Sequence, residues 1–143
     1  MENVTVTKLG ISAEAAKLAL DVAAAEAAKL GLAASVAVLD ESGNMKAFLR
    51  MDNSLLSGIQ VARDKAYSSV ATHLPTSAWI GVTNASKEFE LGLFGIDRIC
   101  PISGGVPIMA EGRLIGAVGV SGGMPDQDEQ LAQAAAAAVA LAS

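Results

Sequence analysis

Two short glycine loops carry the plainest chemical signal in this sequence: Ser103-Gly104-Gly105-Val106-Pro107 and Ser121-Gly122-Gly123-Met124-Pro125. Backbone N–H groups in such loops can turn outward and a ligand can approach the chain closely, which suits a carboxylate or another anion. The second loop also opens a helix, whose free N–H groups favour negative charge. Plain turn and bulge chemistry is the competing reading of the same glycines. His73 is the sole histidine, in Thr72-His73-Leu74-Pro75-Thr76-Ser77. It either answers the carbonyls at a helix end or serves as an axial haem ligand, since haem needs only one strong protein donor. Thr76 and Ser77 add hydroxyls beside it, while Met45, Met51, Met109 and Met124 are soft ligands or core fillers. Asp126-x-x-Glu129 sets two carboxylates one helical turn apart, as an iron-holding pair or as acids complementing a helix dipole. Lys65, Asp128 and Cys100 are the groups that could move protons or attack a substrate. Lys65 lies one step off an apolar stripe, facing a pocket or water. Cys100 follows Arg98, whose charge would favour a thiolate, although a buried, inert thiol is the commoner fate of a lone cysteine.

These residues must be placed by elements, and the elements follow from spacing. Residues 12–30 read as a helix capped by Ser12 and stopped by Gly31, with Leu18, Val22 and Ala25 on its packed side. Segments 33–40 and 44–51 read as a hairpin around Glu41-Ser42-Gly43-Asn44. A second helix spans 54–74 through Leu55, Ile59, Ala62, Ala66, Val70 and Leu74, ended by Pro75. A short helix from Pro75 through Val82 is followed by irregular chain. Three closing strands start at Arg98, Val106 and Arg113, the last two joined at Glu111-Gly112. A final helix begins at Pro125. The order α-β-β-α-β-β-β-α implies an α+β domain over residues 1–143, with a profilin-like antiparallel five-stranded sheet flanked by helices and a ligand between the two layers.

Composition limits the partners. Net charge is −5 with no cluster of Lys and Arg, which excludes nucleic acid and an anionic membrane as natural partners. One cysteine and one histidine exclude an intrachain disulfide and a multi-His metal site within one chain. The start, MENVTVTKLG, lacks the basic and apolar regions of an export signal, so a cytoplasmic location is expected. With 28 alanines and 3% aromatic residues, the helices should pack closely, within one chain or against further copies.

The chain resembles the GlcG/HbpS-like family, whose members include the haem-binding protein HbpS and the C-terminal domain of PduO. The resemblance rests on Ser35-Val36-Ala37-Val38-Leu39-Asp40 with Gly43, Arg50-Met51-Asp52, Asp64-Lys65-Ala66-Tyr67, Pro75-Thr76-Ser77, Arg98-Ile99-Cys100-Pro101, Gly104-Gly105-Val106-Pro107, and Ile115 through Gly123 with Gln127-Asp128-Glu129. It implies a profilin-like domain that forms homo-oligomers, often octamers, with haem bound between subunits in some members and an accessory role beside catabolic enzymes. It also implies His73 or Thr76 as the iron ligand and Asp126 with Glu129 as the counterpart of an iron-sequestering acid pair. Three functions follow. The first is a homo-oligomer binding haem or a related small carboxylate at His73, Thr76, Ser77 and the glycine loops. The second is an enzyme acting on a small hydroxy- or keto-acid by proton transfer. The third is an assembly subunit with no pocket.

Overall fold

The computed structural model describes residues 2–142. Its elements are α1 (Ala13–Lys29), β1 (Ser35–Asp40), β2 (Met45–Arg50), α2 (Ser57–Thr72), a 3-10 turn (Thr76–Ala78), α3 (Trp79–Ala85), α4 (Lys87–Leu93), β3 (Gly105–Ala110), β4 (Arg113–Ser121) and α5 (Pro125–Ala142). The strands form one antiparallel sheet in the order β2-β1-β4-β3. Helices α1 and α5 bury Val36, Val38, Val118 and Val120 on one face, and α2 buries Ala37, Leu39 and Ala117 on the other.

The sheet has four strands, not the expected five. Residues 98–102 are apolar enough for a strand but have the wrong backbone: Arg98 sits at φ +65° and Pro101 has no N–H to give a ladder. The segment is instead pinned to α2, where the Cys100 N–H donates to Ser68 Oγ at 2.8 Å. The stretch expected to be irregular contains α4, started by Ser86, whose hydroxyl accepts from the Phe89 N–H at 3.3 Å.

The packed side of α1 also differs from expectation. Ala16, Ala19, Ala23 and Ala27 are fully buried, whereas Leu18 is 36% exposed and Leu30 42%. The opposing positions on α5 are Leu131, Ala132, Ala135, Ala136 and Val139, and two alanine-rich faces let the helix axes approach closely. A leucine ridge would hold them apart. Ser12 caps α1 as expected, its Oγ accepting from the Ala15 N–H at 3.0 Å. Glu111 and Gly112 both have positive φ, +52° and +72°, the backbone of a two-residue hairpin turn.

On the other face, α2 lies directly on β4 at Gly119. A Cβ there would run into the Ala62 carbonyl oxygen and stand 2.6 Å from the Ala66 nitrogen. Helix α2 sits at this depth only because that position has no side chain. Gly119→Ala should therefore lower the urea midpoint by the equivalent of about 3 kcal/mol, the range of a severe overpacking. Gly81→Ala meets nothing within 4 Å and should leave it unchanged or raise it slightly.

Candidate functional site

Lys65 is the largest fully buried side chain, with 2% of it exposed. It reaches from the middle of α2 past the start of β3. Its Nζ donates to the Val120 carbonyl and to Asp128 Oδ2, both at 2.9 Å. The other Asp128 oxygen, Oδ1, accepts from the backbone N–H groups of Gly122 at 3.1 Å and Gly123 at 2.8 Å. Gly104, at φ +129°, leaves room for this arrangement, since a Cβ on it would lie 2.8 Å from Lys65 Nζ and 2.9 Å from Asp128 Cβ. The ammonium faces neither an open pocket nor water, the two surroundings that its place on the helix suggested.

The two glycine loops lie side by side as their spacing suggests. Val120 N–H donates to Gly104 O at 2.8 Å, and Gly105 pairs with Gly119. The N–H groups that looked free to cradle an anion already hold one, the chain's own Asp128. Ser103 is half-buried, and Ser121 with the outer side of Gly122 and Gly123 borders a cleft of about 350 Å³ that also touches Ser57 and Gly58.

The residues between His73 and Ser77 are brought into three different surroundings. His73 ends α2 with φ +60° and is exposed. It lines a cleft of about 440 Å³ with Lys8, Leu9, Glu41, Met109, Arg113 and Leu114. Thr76 is 1% exposed, and its Oγ1 accepts from the Gly105 N–H at 2.9 Å. Ser77 donates to Glu129 Oε1 at 2.9 Å. Glu129 is thereby turned toward the 3-10 turn and Gln133, while Asp126 is exposed. Among the described residues no group of three or more His, Cys, Asp or Glu is placed to hold a metal ion.

Cys100 is not an activated thiol. Burial pushes its pKa above the usual cysteine value, and this outweighs the lowering by the Ile102 backbone hydrogen bond and the Lys65 charge. Arg98, expected to favour the thiolate, is engaged elsewhere: its guanidinium lies 3.9 Å from the centre of the Tyr67 ring and 3.6 Å from Asp64 Oδ1.

Sequence reading missed the company His73 keeps. Lys8 and Leu9 belong to a leading segment without periodicity, tied to the sheet where the Ile11 N–H donates to Ile115 O at 2.9 Å. It also missed that Trp79 and Phe89 come together: their ring centroids are 6.3 Å apart and they border an apolar cleft of about 430 Å³ with Leu93 and Ile96.

Two outcomes follow from this geometry. Lys65→Met or Asp128→Asn leaves one buried charge without its partner and should cost about 3–5 kcal/mol in urea denaturation. The Cys100 thiol should react with iodoacetamide more slowly than free cysteine at neutral pH, because its thiolate forms only at higher pH. A reaction midpoint at or below that of free cysteine would contradict the burial argument.

The family model described as "Haem degrading protein HbpS-like" matches residues 11–137. A 15.0 kDa protein of the dhaT-dhaS intergenic region of Citrobacter freundii is 33% identical over 129 residues, covering 87% of this chain and 89% of that protein. The crystal structure of Klebsiella pneumoniae protein ORFY superposes with a TM-score of 0.89 at 29% identity, covering 97% of both chains. The crystal structure of a PduOC–haem complex superposes with a TM-score of 0.84 at 27% identity, covering 91% of this chain and 95% of that one. With the family model spanning nearly the whole chain and the same α+β fold in these structures, the chain belongs to the GlcG/HbpS-like family.

Proposed function

We propose that this protein is a single-domain, profilin-like homo-oligomer that binds haem in the cleft beside His73. The observation that carries the reading is the exposed imidazole at the end of α2, set among groups that suit each part of a haem. Leu9 and Leu114 offer apolar surface to the macrocycle, Lys8 and Arg113 offer cations to the propionates, and Met109 offers a soft second donor. Haem supplies an iron centre able to bind or exchange electrons with small molecules. The chain's own part is to give one nitrogen ligand and to hold the carboxylates. Thr76 is the poorer iron ligand, because its hydroxyl is buried on the Gly105 N–H. A haem complex of the similar PduOC supports the reading.

Self-association is proposed on the α3 and α4 arm, which leaves Ile80, Leu91 and Phe94 more than 60% exposed. Apolar surface of this kind is normally covered by a partner, and an octamer is the expected assembly. Among the described residues no helix is long and apolar enough to cross a membrane. A cytoplasmic accessory role beside catabolic enzymes completes the proposal. The competing reading, proton transfer on a small hydroxy- or keto-acid, has less support: Lys65 and Asp128 satisfy each other and Cys100 holds its proton.

Titration with haemin should give a saturable Soret band. His73→Ala should shift that band and weaken binding at least tenfold, while Thr76→Val should leave its position unchanged. Non-saturable absorbance, or a His73→Ala variant that binds as the wild type does, would refute the assignment. Phe94→Ser should lower the mass seen by light scattering without moving the Soret band.

A further inference from the structure

We propose that the cleft at the start of α2 is a binding site for a small oxyanion, separate from the haem cleft. The sheet register places three polar side chains in one row: Ser35 is opposite Arg50 on β2 and opposite Ser121 on β4. Directly opposed residues share a face, and this row lies on the face that α2 covers, in line with Ala37 and Leu39. The Ser35 hydroxyl is fully buried and has no hydrogen-bond partner. A buried hydroxyl left in this state is costly, and a polar ligand would satisfy it.

That hydroxyl is aimed at the first turn of α2. Both Ser35 Oγ and Ser121 Oγ border the space that a side chain on Gly58 would fill, at 3.7 and 3.5 Å from the position of its Cβ. The helix N-cap is Leu56, which offers no side-chain acceptor; the Gly58 and Ile59 N–H groups donate to the Leu55 and Leu56 carbonyls at 3.0 and 3.2 Å, and among the described residues the Ser57 N–H is left without a partner. Helix N-termini with open donors attract negative charge. Arg50 adds a full positive charge nearby, where its Nη2 donates to Ser54 O at 2.9 Å in the loop leading into α2. The cleft of about 350 Å³ continues outward past Asn53, Ser57 and Gly122, and no acidic residue lines it. Asp128 lies behind the glycine loop with its charge answered by Lys65. The Ser35 and Ser121 hydroxyls, the free Ser57 N–H, the nearby Arg50 guanidinium and the lack of an acidic lining residue select an anion carrying several acceptor oxygens, either a phosphate or a short carboxylate, although the Ser121 carbonyl oxygen also borders the space at 3.4 Å.

The test titrates the haem-free protein with inorganic phosphate and, separately, with acetate, following melting temperature and heat of binding at ionic strength held constant with sodium chloride. Saturable binding of either anion is expected. Phosphate alone would assign a tetrahedral oxyanion, and acetate binding with equal or greater strength would assign a carboxylate. Gly58→Ala should weaken the dissociation constant at least tenfold without lowering the melting temperature of the unliganded protein. Its added methyl makes only ordinary contacts, 3.4 Å or longer, but takes the space an oxygen would use. Ser35→Ala should weaken binding at least fivefold, and it keeps the test decisive if Gly58→Ala fails to fold. Three results would overturn the proposal: no saturable effect of either anion beyond that of chloride, wild-type affinity in both variants, or a phosphate-grown crystal with only water at Ser35 Oγ. Haemin binding, read from the Soret band, is independent of every one of these outcomes.

Discussion

The structure depends on how one long cation crosses from one helical layer to the other. Helix α2 and helix α5 lie on opposite faces of the sheet, and Lys65 joins them by meeting Asp128 at 2.9 Å with almost no exposure to solvent. Such a pair gains strength from low local dielectric but pays for desolvation of both ions, so it depends on further hydrogen bonds to each of them. Here the Val120 carbonyl takes a second Lys65 proton, and Gly122 and Gly123 occupy the second Asp128 oxygen. The glycines follow from that demand. Gly104 clears the path of the ammonium, and Gly119 lets α2 settle deep enough for a lysine to reach across.

Elements announced by a local stereochemical rule were legible in the sequence. Ser12 caps α1, Glu111-Gly112 turns the last hairpin, and Pro125 opens α5, each through backbone requirements that neighbouring residues alone can state. The failures came where tertiary demand overrode pattern. Residues 98–102 have strand composition, yet a left-handed Arg98 and the pull of Ser68 on Cys100 hold them across α2. Leu18 and Val22 looked like the packed side of α1 because they are large. The partner helix presents alanines, however, and the packing selects the alanine stripe in reply.

The candidate site was half legible for a related reason. The paired glycine loops do meet, and they do bind a carboxylate, but it is Asp128 of the same chain, a possibility that no spacing rule separates from an external ligand. Thr76 looked like an open hydroxyl beside His73, but one turn of 3-10 helix rotates it inward onto Gly105 and leaves the imidazole outside. With 3% aromatic residues, close packing of alanine-rich helices was the contact that composition suggested. Composition averages over the chain, whereas Trp79 and Phe89 lie with ring centroids 6.3 Å apart on one arm, which also carries the exposed Phe94.

Helix α2 sets the geometry of everything that can act on a ligand. Its 16 residues span roughly 24 Å at the usual rise per residue. The middle is fixed by Gly119 beneath it and by Lys65, so the two ends are held at a constant separation. One end presents His73 in a left-handed conformation that places the side chain beyond the last helical turn. The other presents the free Ser57 N–H and, beside Gly58, the hydroxyls of Ser35 and Ser121. A ligand at either end meets a pre-formed surface and spends little of its binding energy on ordering the chain. Any influence of one end on the other must pass through the packing of α2 on the sheet. That packing has almost no play, because Ala62, Ala66 and the backbone of β4 are already in direct contact. Direct communication between the two sites is therefore disfavoured by the same close packing that holds each of them in shape.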